Sequence, residues 1–149
     1  MATTTASLTI ESSDLVGDAL SLSTTNTLHK AGTTVGLDQT TGLTRTYVTA
    51  TTQFDPFPVV KGTTNASKNG RVYIANLSED ETEYITISIG DATIGRLYAG
   101  DWMFMPWDSD VVAVGAGGSA IEIQAYVAEA TIEYCLFNNG ETKLTSDDS

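Results

Sequence analysis

The chain has one cysteine, one histidine and three prolines in 149 residues, and only seven Lys and Arg against nineteen Asp and Glu. Each scarcity excludes something. The single cysteine, Cys135, permits no disulfide within the chain. The single histidine, His29, permits neither a His-rich metal site nor a facial triad in one copy, and only a trimer could bring three of them to an axis. A formal charge of −12 repels phosphate, so neither nucleic acid nor an anionic membrane is an expected partner. No run approaches the roughly 18 apolar residues of a spanning helix, and residues 1–7 are Thr-rich with neither a basic nor an apolar region. A soluble chain without an export signal is the expectation.

What the chain does have is threonine, serine, glycine and a period of two. Leu8 and Ile10, Leu20 and Leu22, and Tyr47 between Thr46 and Val48 alternate within short Thr-rich runs, the pattern of half-buried strands. Thr is β-branched and stiffens extended backbone, so helix is disfavoured over Leu43–Thr52. Further strands are expected at Arg71–Leu77, Glu83–Ile89, Thr93–Tyr98, Trp102–Trp107, Val111–Val114, Ala120–Val127 and Thr131–Phe137. Ile85, Ile87 and Ile89 share one face, as do Ile121, Ile123 and Ala125, which leaves the other face of each strand for water. Between the runs lie Gly, Asn and Asp in turn positions, as in Gly90-Asp91-Ala92 and Ala99-Gly100-Asp101.

These observations predict an all-β chain, an antiparallel β-sandwich or jelly-roll-like barrel of about ten short strands. The expected organisation is an extended N-terminal arm over residues 1–12, one sandwich domain over 13–140 and a flexible acidic tail over 141–149. The segment Phe54-Asp55-Pro56-Phe57-Pro58 reads as a change of path, because both tryptophans and five of the six tyrosines follow it. The one candidate helical turn is Ser12–Gly17, where Ser or Asp could cap and Gly17 could end it.

Groupings that carry chemistry are sparse. The His29 segment reads as a loop, no Gly-x-Ser-x-Gly elbow occurs, and Cys135 between Tyr134 and Leu136 reads as a buried strand residue. Glu79-Asp80-Glu81-Thr82-Glu83 sits between two strong strands and reads as a solvated hairpin loop ahead of a weak cation site. Asp108-Ser109-Asp110 lacks the glycine and trailing glutamate of an EF-hand, and Gly115-Ala116-Gly117-Gly118-Ser119 lacks the lysine of a phosphate loop. The sequons at Asn65 and Asn76 read as chance matches. Trp102 and Trp107 could stack on sugars, but with Phe104 and Pro106 they form a run better suited to a core or a subunit interface. The expectation is no enzyme and no cofactor or metal, with Leu8, Ile10, Trp102, Phe104, Pro106 and Trp107 as interface candidates.

A resemblance adds a context. Four blocks follow one another: Arg71-Val72-Tyr73-Ile74-Ala75-Asn76-Leu77, Tyr84-Ile85-Thr86-Ile87-Ser88-Ile89-Gly90, Ile94 through Trp107, and Ile132-Glu133-Tyr134-Cys135-Leu136-Phe137. Their order resembles small virion structural proteins of tailed bacteriophages, with a V-Y-I-x-N strand, an L-x-x-G-[DE] turn into an aromatic strand, and a closing E-Y strand. The resemblance covers roughly residues 70 to 137, and Ser13–Leu22 is similar to the start of such chains. It implies a non-enzymatic β-sandwich that assembles into the particle, often as a trimer. The expectation is a capsid decoration (cement) protein made in the host cytoplasm and placed on the outer capsid surface. Its partners would be its own copies and the major capsid protein. The alternatives are a tail, neck or fibre module and, third, a glycan-binding sandwich.

Overall fold

The computed structural model describes residues 3–14, 17–29, 34, 36–37, 39–57, 70–90, 92–107 and 121–138. Among these the chain is all-β, with every strand pair antiparallel and no helix. β1 (Thr4–Ser12) and β2 (Leu20–Leu28) form a hairpin. β3 (Gln39–Thr40), β4 (Thr44–Thr49), β5 (Gly70–Asn76), β8 (Trp102–Trp107) and β10 (Glu129–Asn138) form a five-stranded sheet. β6 (Tyr84–Ile89), β7 (Ala92–Tyr98) and β9 (Ile121–Ala125) form a three-stranded sheet. β10 is the hub of the larger sheet, with β5 on one side and β4 then β3 along the other.

The two larger sheets pack as a sandwich because period-two alternation sends one apolar set from each into a shared core. Val72 and Ile74 of β5 and Ile132 and Leu136 of β10 are buried with Ile85 and Ile87 of β6 and Ile121 and Ile123 of β9. Each such side chain contributes about 1.5–3 kcal/mol by leaving water. Phe54 and Phe57 close one end. Phe54 exchanges two backbone hydrogen bonds with Ile123, at 2.9 and 2.8 Å, and Phe57 is buried against the rings of Trp107 and Tyr134. The aromatic-proline segment is thus a crossing between sheets rather than a linker.

Asn76 is the one buried polar residue among those described, and every hydrogen-bonding group it has is used. Its position at the inward end of β5 aims the side chain at β7 of the opposite sheet. Nδ2 donates to the Leu97 carbonyl at 2.9 Å and Oδ1 accepts from the Ser78 N–H at 3.0 Å. Its backbone N–H donates to the Asp101 carbonyl, and its own carbonyl accepts from the Gly100 N–H, both at 2.9 Å. The Tyr98–Asp101 turn between β7 and β8 is completed by two further bonds: the Asp101 N–H donates to the Tyr98 carbonyl, and the Tyr98 N–H donates to Asp101 Oδ2. Gly100 supplies the positive φ of 87° that this turn requires. The asparagine of V-Y-I-x-N and the Gly-Asp of L-x-x-G-[DE] are therefore two halves of one latch that holds the sheets in register.

Several expectations are corrected or fall elsewhere. The arm is not a lone strand over residues 1–12, because β1 pairs with β2 along all nine of its residues from Thr4↔Leu28 to Ser12↔Leu20. Of the candidate turn Ser12–Gly17, Leu15 and Val16 lie outside the described residues, while the backbone bends at Ser13 and Asp14 and Gly17 has φ 110°. Val111–Val114, Asp108-Ser109-Asp110, Gly115–Ser119, the Asn65 sequon and the tail 141–149 lie outside the described residues. Strand β7, at the edge of the smaller sheet, carries a bulge opposite Ile87/Ser88 that leaves Ile94 unpaired and exposed. A bulge of this kind blunts an edge against further pairing.

Candidate functional site

The hairpin of β1 and β2 stands apart from the sandwich. It is tied at its base, where Thr4 Oγ1 donates to the Leu37 carbonyl at 2.7 Å and the Leu37 N–H donates to the Leu28 carbonyl at 2.8 Å, with Leu28 and Leu37 both buried. Toward the tip its two faces diverge in chemistry. Alternation puts Ala6, Leu8 and Ile10 beside Asn26, Thr24 and Leu22, with Leu20 next in line. The opposite face carries Thr5, Ser7, Thr9 and Glu11 beside Thr27, Thr25, Ser23 and Ser21, and Ser7 and Thr25 join their hydroxyls at 3.0 Å. One face is polar throughout, and the other becomes more apolar toward the tip. There Ile10, Leu20 and Leu22 are 43, 49 and 43 % exposed.

The outer face of the five-stranded sheet is the second half of the site. Trp102, Phe104 and Pro106 of β8 lie outward, beside Ala75, Tyr73 and Arg71 of β5, and the next row on β10 is Glu133, Cys135 and Phe137. Phe104 and Phe137 meet edge to face at 6.3 Å. Trp102 and Phe104 are 55 and 38 % exposed, although they belong to the chain's most aromatic strand. Between this face and the lower part of the hairpin lies a cleft of about 670 Å³, with Ala6, Leu8 and Leu28 on the arm side and Tyr73, Trp102 and Phe104 on the sheet side. Among the described strands β8 is also an edge strand.

Charge around the cleft is set by few groups. Arg45 Nε donates to Glu133 Oε2 at 2.8 Å across the β4–β10 ladder, with Glu133 largely covered and Arg45 open to solvent. The Tyr73 hydroxyl is pushed above the ordinary phenol range, first by burial and then by the nearby Glu133 carboxylate. Cys135 is buried beneath Thr40, its Sγ 3.0 Å from Thr40 Oγ1.

Of the six interface candidates, the fold brings five to one side of the molecule. Leu8, Trp102 and Phe104 line the cleft, Ile10 continues the apolar face beyond it, and Pro106 lies in the same outward row of β8. Trp107 does not join them. It has odd parity relative to Trp102 and Phe104, so it turns inward and is 4 % exposed against Phe57. The sequence reading did not assign Leu20, Leu22, Tyr73 and Phe137 to this surface. The matching alternation of the two Thr-rich runs was the available signal for the first two, but nothing local marks which strand Tyr73 and Phe137 stand beside.

Other candidates resolve locally. Asp80 accepts from the Thr82 N–H at 2.9 Å and hydroxyl at 2.7 Å, which hold its carboxyl below the ordinary range. That is a turn-forming role within the acidic loop. No group of three His, Cys, Asp or Glu able to hold a metal occurs among the described residues. The buried Asn76 side chain spends its amide on Leu97, so its sequon offers no acceptor nitrogen. On the outer face of the smaller sheet Tyr84 stacks on Tyr126 at 4.4 Å and meets Tyr98 at 5.2 Å, with the Arg96 guanidinium 4.5 Å above Tyr84. Those rings spend their faces on one another. In comparisons with protein-family models and with curated proteins, nothing matches the chain.

Proposed function

We propose that the chain is a non-enzymatic structural protein of a bacteriophage virion, a capsid decoration protein that binds and stabilises the major capsid lattice as a homotrimer. The observation that carries this reading is the projecting hairpin, whose tip exposes Ile10, Leu20 and Leu22, next to an aromatic sheet face that is half open. An isolated two-stranded ribbon is marginal in water, so such an arm is suited to being held by a neighbour. The virion context comes from the four-block resemblance, whose most specific residues, Asn76, Gly100 and Asp101, form the latch between the sheets.

The mechanism is linkage. A protein that binds the assembled lattice and not its dispersed subunits stabilises the lattice by RT ln(1 + [L]/Kd) per site. Repetition over a shell makes modest contacts sufficient, and the acidic surface keeps the free protein soluble at high concentration. The test is co-sedimentation of the purified chain with undecorated heads, together with mass spectrometry of separated heads and tails. Saturable binding to heads, and a rise in their melting temperature on binding, is the expected result. Recovery with tails or necks alone would move the protein there, and absence from virions would overturn the reading.

A further inference from the structure

The fold separates the two tryptophans, and only one keeps a ring face for a ligand. Trp107 is buried against Phe57, whereas Trp102 stands 55 % exposed on the wall of the cleft between the arm and the five-stranded sheet. That cleft, of about 670 Å³, falls within the roughly 300–1,000 Å³ of small-molecule sites. Its chemistry is divided by strand. On the arm, the register sets Ala6 and Leu8 of β1 opposite Asn26 and Thr24 of β2, so one column is apolar and the other ends in an amide and a hydroxyl. On the facing sheet, Trp102 and Phe104 of β8 supply rings and Tyr73 of β5 adds a phenol. The Asn26, Thr24 and Tyr73 side chains form no hydrogen bond with a described residue, in contrast to Ser7 and Thr25 on the arm's other face, which bond to each other.

These groups select among occupants. A charged ligand finds no counter-charge, because the described lining holds no carboxylate and its one cation, Arg71, spends Nη1 on the Gly70 carbonyl. The phosphate of a nucleotide is further opposed by the chain's charge of −12. A fatty chain would cover Asn26, Thr24 and the Tyr73 hydroxyl without bonding to them. An extended peptide pairs with a strand edge, and both walls of the cleft are sheet faces, which present side chains. What remains is a neutral, amphipathic ring, with C–H groups on its faces and hydroxyls around its rim. We propose that the cleft binds an uncharged saccharide, one pyranose face stacking on the Trp102 indole and the ring hydroxyls bonding to Asn26, Thr24 and Tyr73. The site goes beyond the assembly role proposed above and does not depend on it; on a particle it would hold the surface against a glycan.

The experiment is titration of the purified full chain with maltotriose, galactotriose and N-acetylchitotriose, each to about 20 mM, where a contact of millimolar affinity saturates. Tryptophan emission reads the wild type, since Trp107 is buried and the acrylamide-accessible signal belongs to Trp102. Saturation-transfer NMR reads the variants, one of which loses that fluorophore. At least one sugar is expected to bind saturably and to shield Trp102 from acrylamide. Trp102→Ala should weaken that binding at least about thirtyfold, and Asn26→Ala about tenfold, the loss of one or two hydrogen bonds. Tyr126→Ala, on the outer face of the other sheet, should leave it unchanged. All three positions are exposed, and unchanged far-UV circular dichroism verifies that each variant is folded. Binding of none of the three sugars, binding that survives Trp102→Ala, or binding lost equally in Tyr126→Ala would each overturn the proposal. Sugar binding by a chain absent from virions would leave this site standing and overturn the decoration role, whereas a chain that binds heads and none of the sugars would do the reverse.

Discussion

Replacing Asn76 tests whether the latch holds the two sheets together. Asn76→Leu keeps the γ-branched shape and the backbone bonds but leaves the Leu97 carbonyl and the Ser78 N–H without their side-chain partner. Each unsatisfied buried group costs about 1–3 kcal/mol, and part of that returns through apolar burial of the leucine, so the expected loss is about 2–4 kcal/mol. For a chain of this size that is a fall in Tm of about 5–15 °C. Asn76→Asp probes the same bonds by pH. An ionised carboxylate still accepts from Ser78, but it cannot donate to Leu97 and it places a charge at a fully buried position. Its folded pKa therefore lies above the unfolded value of about 3.9. The variant's stability relative to wild type is highest below that unfolded value, where a protonated carboxyl can donate, and it is lost as pH rises through the folded pKa. Urea unfolding of wild type and both variants between about pH 3.5 and pH 8, with slopes compared to verify a common unfolded state, measures this. The reasoning fails if Asn76→Leu lies within about 0.5 kcal/mol of wild type, or if the gap for Asn76→Asp does not change with pH.

Two further perturbations test local physics. Gly100 and Gly95 both have open space where a Cβ would go, but only Gly100 has a positive φ, so Gly100→Ala should destabilise by about 1 kcal/mol or more while Gly95→Ala should be neutral or stabilising by a few tenths. Thermal melts of the pair would decide it, and equal effects would refute the conformational argument. The Asp55 carboxyl is pushed above its ordinary range, chiefly by burial, with Glu122 adding to the rise against a lowering hydrogen bond from the Phe57 N–H. A raised folded pKa gives stability that is fully present below the unfolded value and lost as pH rises through the folded one. Asp55→Asn keeps an acceptor for Phe57, and its stability should fall less than wild type between pH 4 and pH 7, roughly the carboxylate window; parallel pH curves would contradict the assignment.

The strands were written into the chain by itself. Ile85, Ile87 and Ile89, and Ile121, Ile123 and Ala125, alternate with polar neighbours, and period two is a local property that any reader of the sequence can count. The turn at Gly100-Asp101 was equally legible, because a positive φ and a side-chain acceptor are demands that one or two residues meet alone. Parity along Trp102–Trp107 was available too, and it separates Trp107 from Trp102 and Phe104 by simple counting. What the local pattern could not contain was which strands become neighbours. Widely separated stretches meet on β10, where Arg45 finds Glu133 and Phe137 finds Thr40, and no short-range signal encodes those encounters. Asn76 stands in the sequence only as the asparagine of V-Y-I-x-N and of a chance sequon, and its role comes from the opposite sheet, which supplies Leu97 for its amide. The arm shows the same division. Its alternation was visible as Leu8 and Ile10, but its partner strand, its apolar tip and the open cleft beside it exist only once Thr4–Ser12 pairs with Leu20–Leu28 over the outer sheet. Sequence sets the periodicity and chemistry of each face, because these depend on covalent neighbours; tertiary structure decides which faces are covered, because that depends on contacts between distant segments.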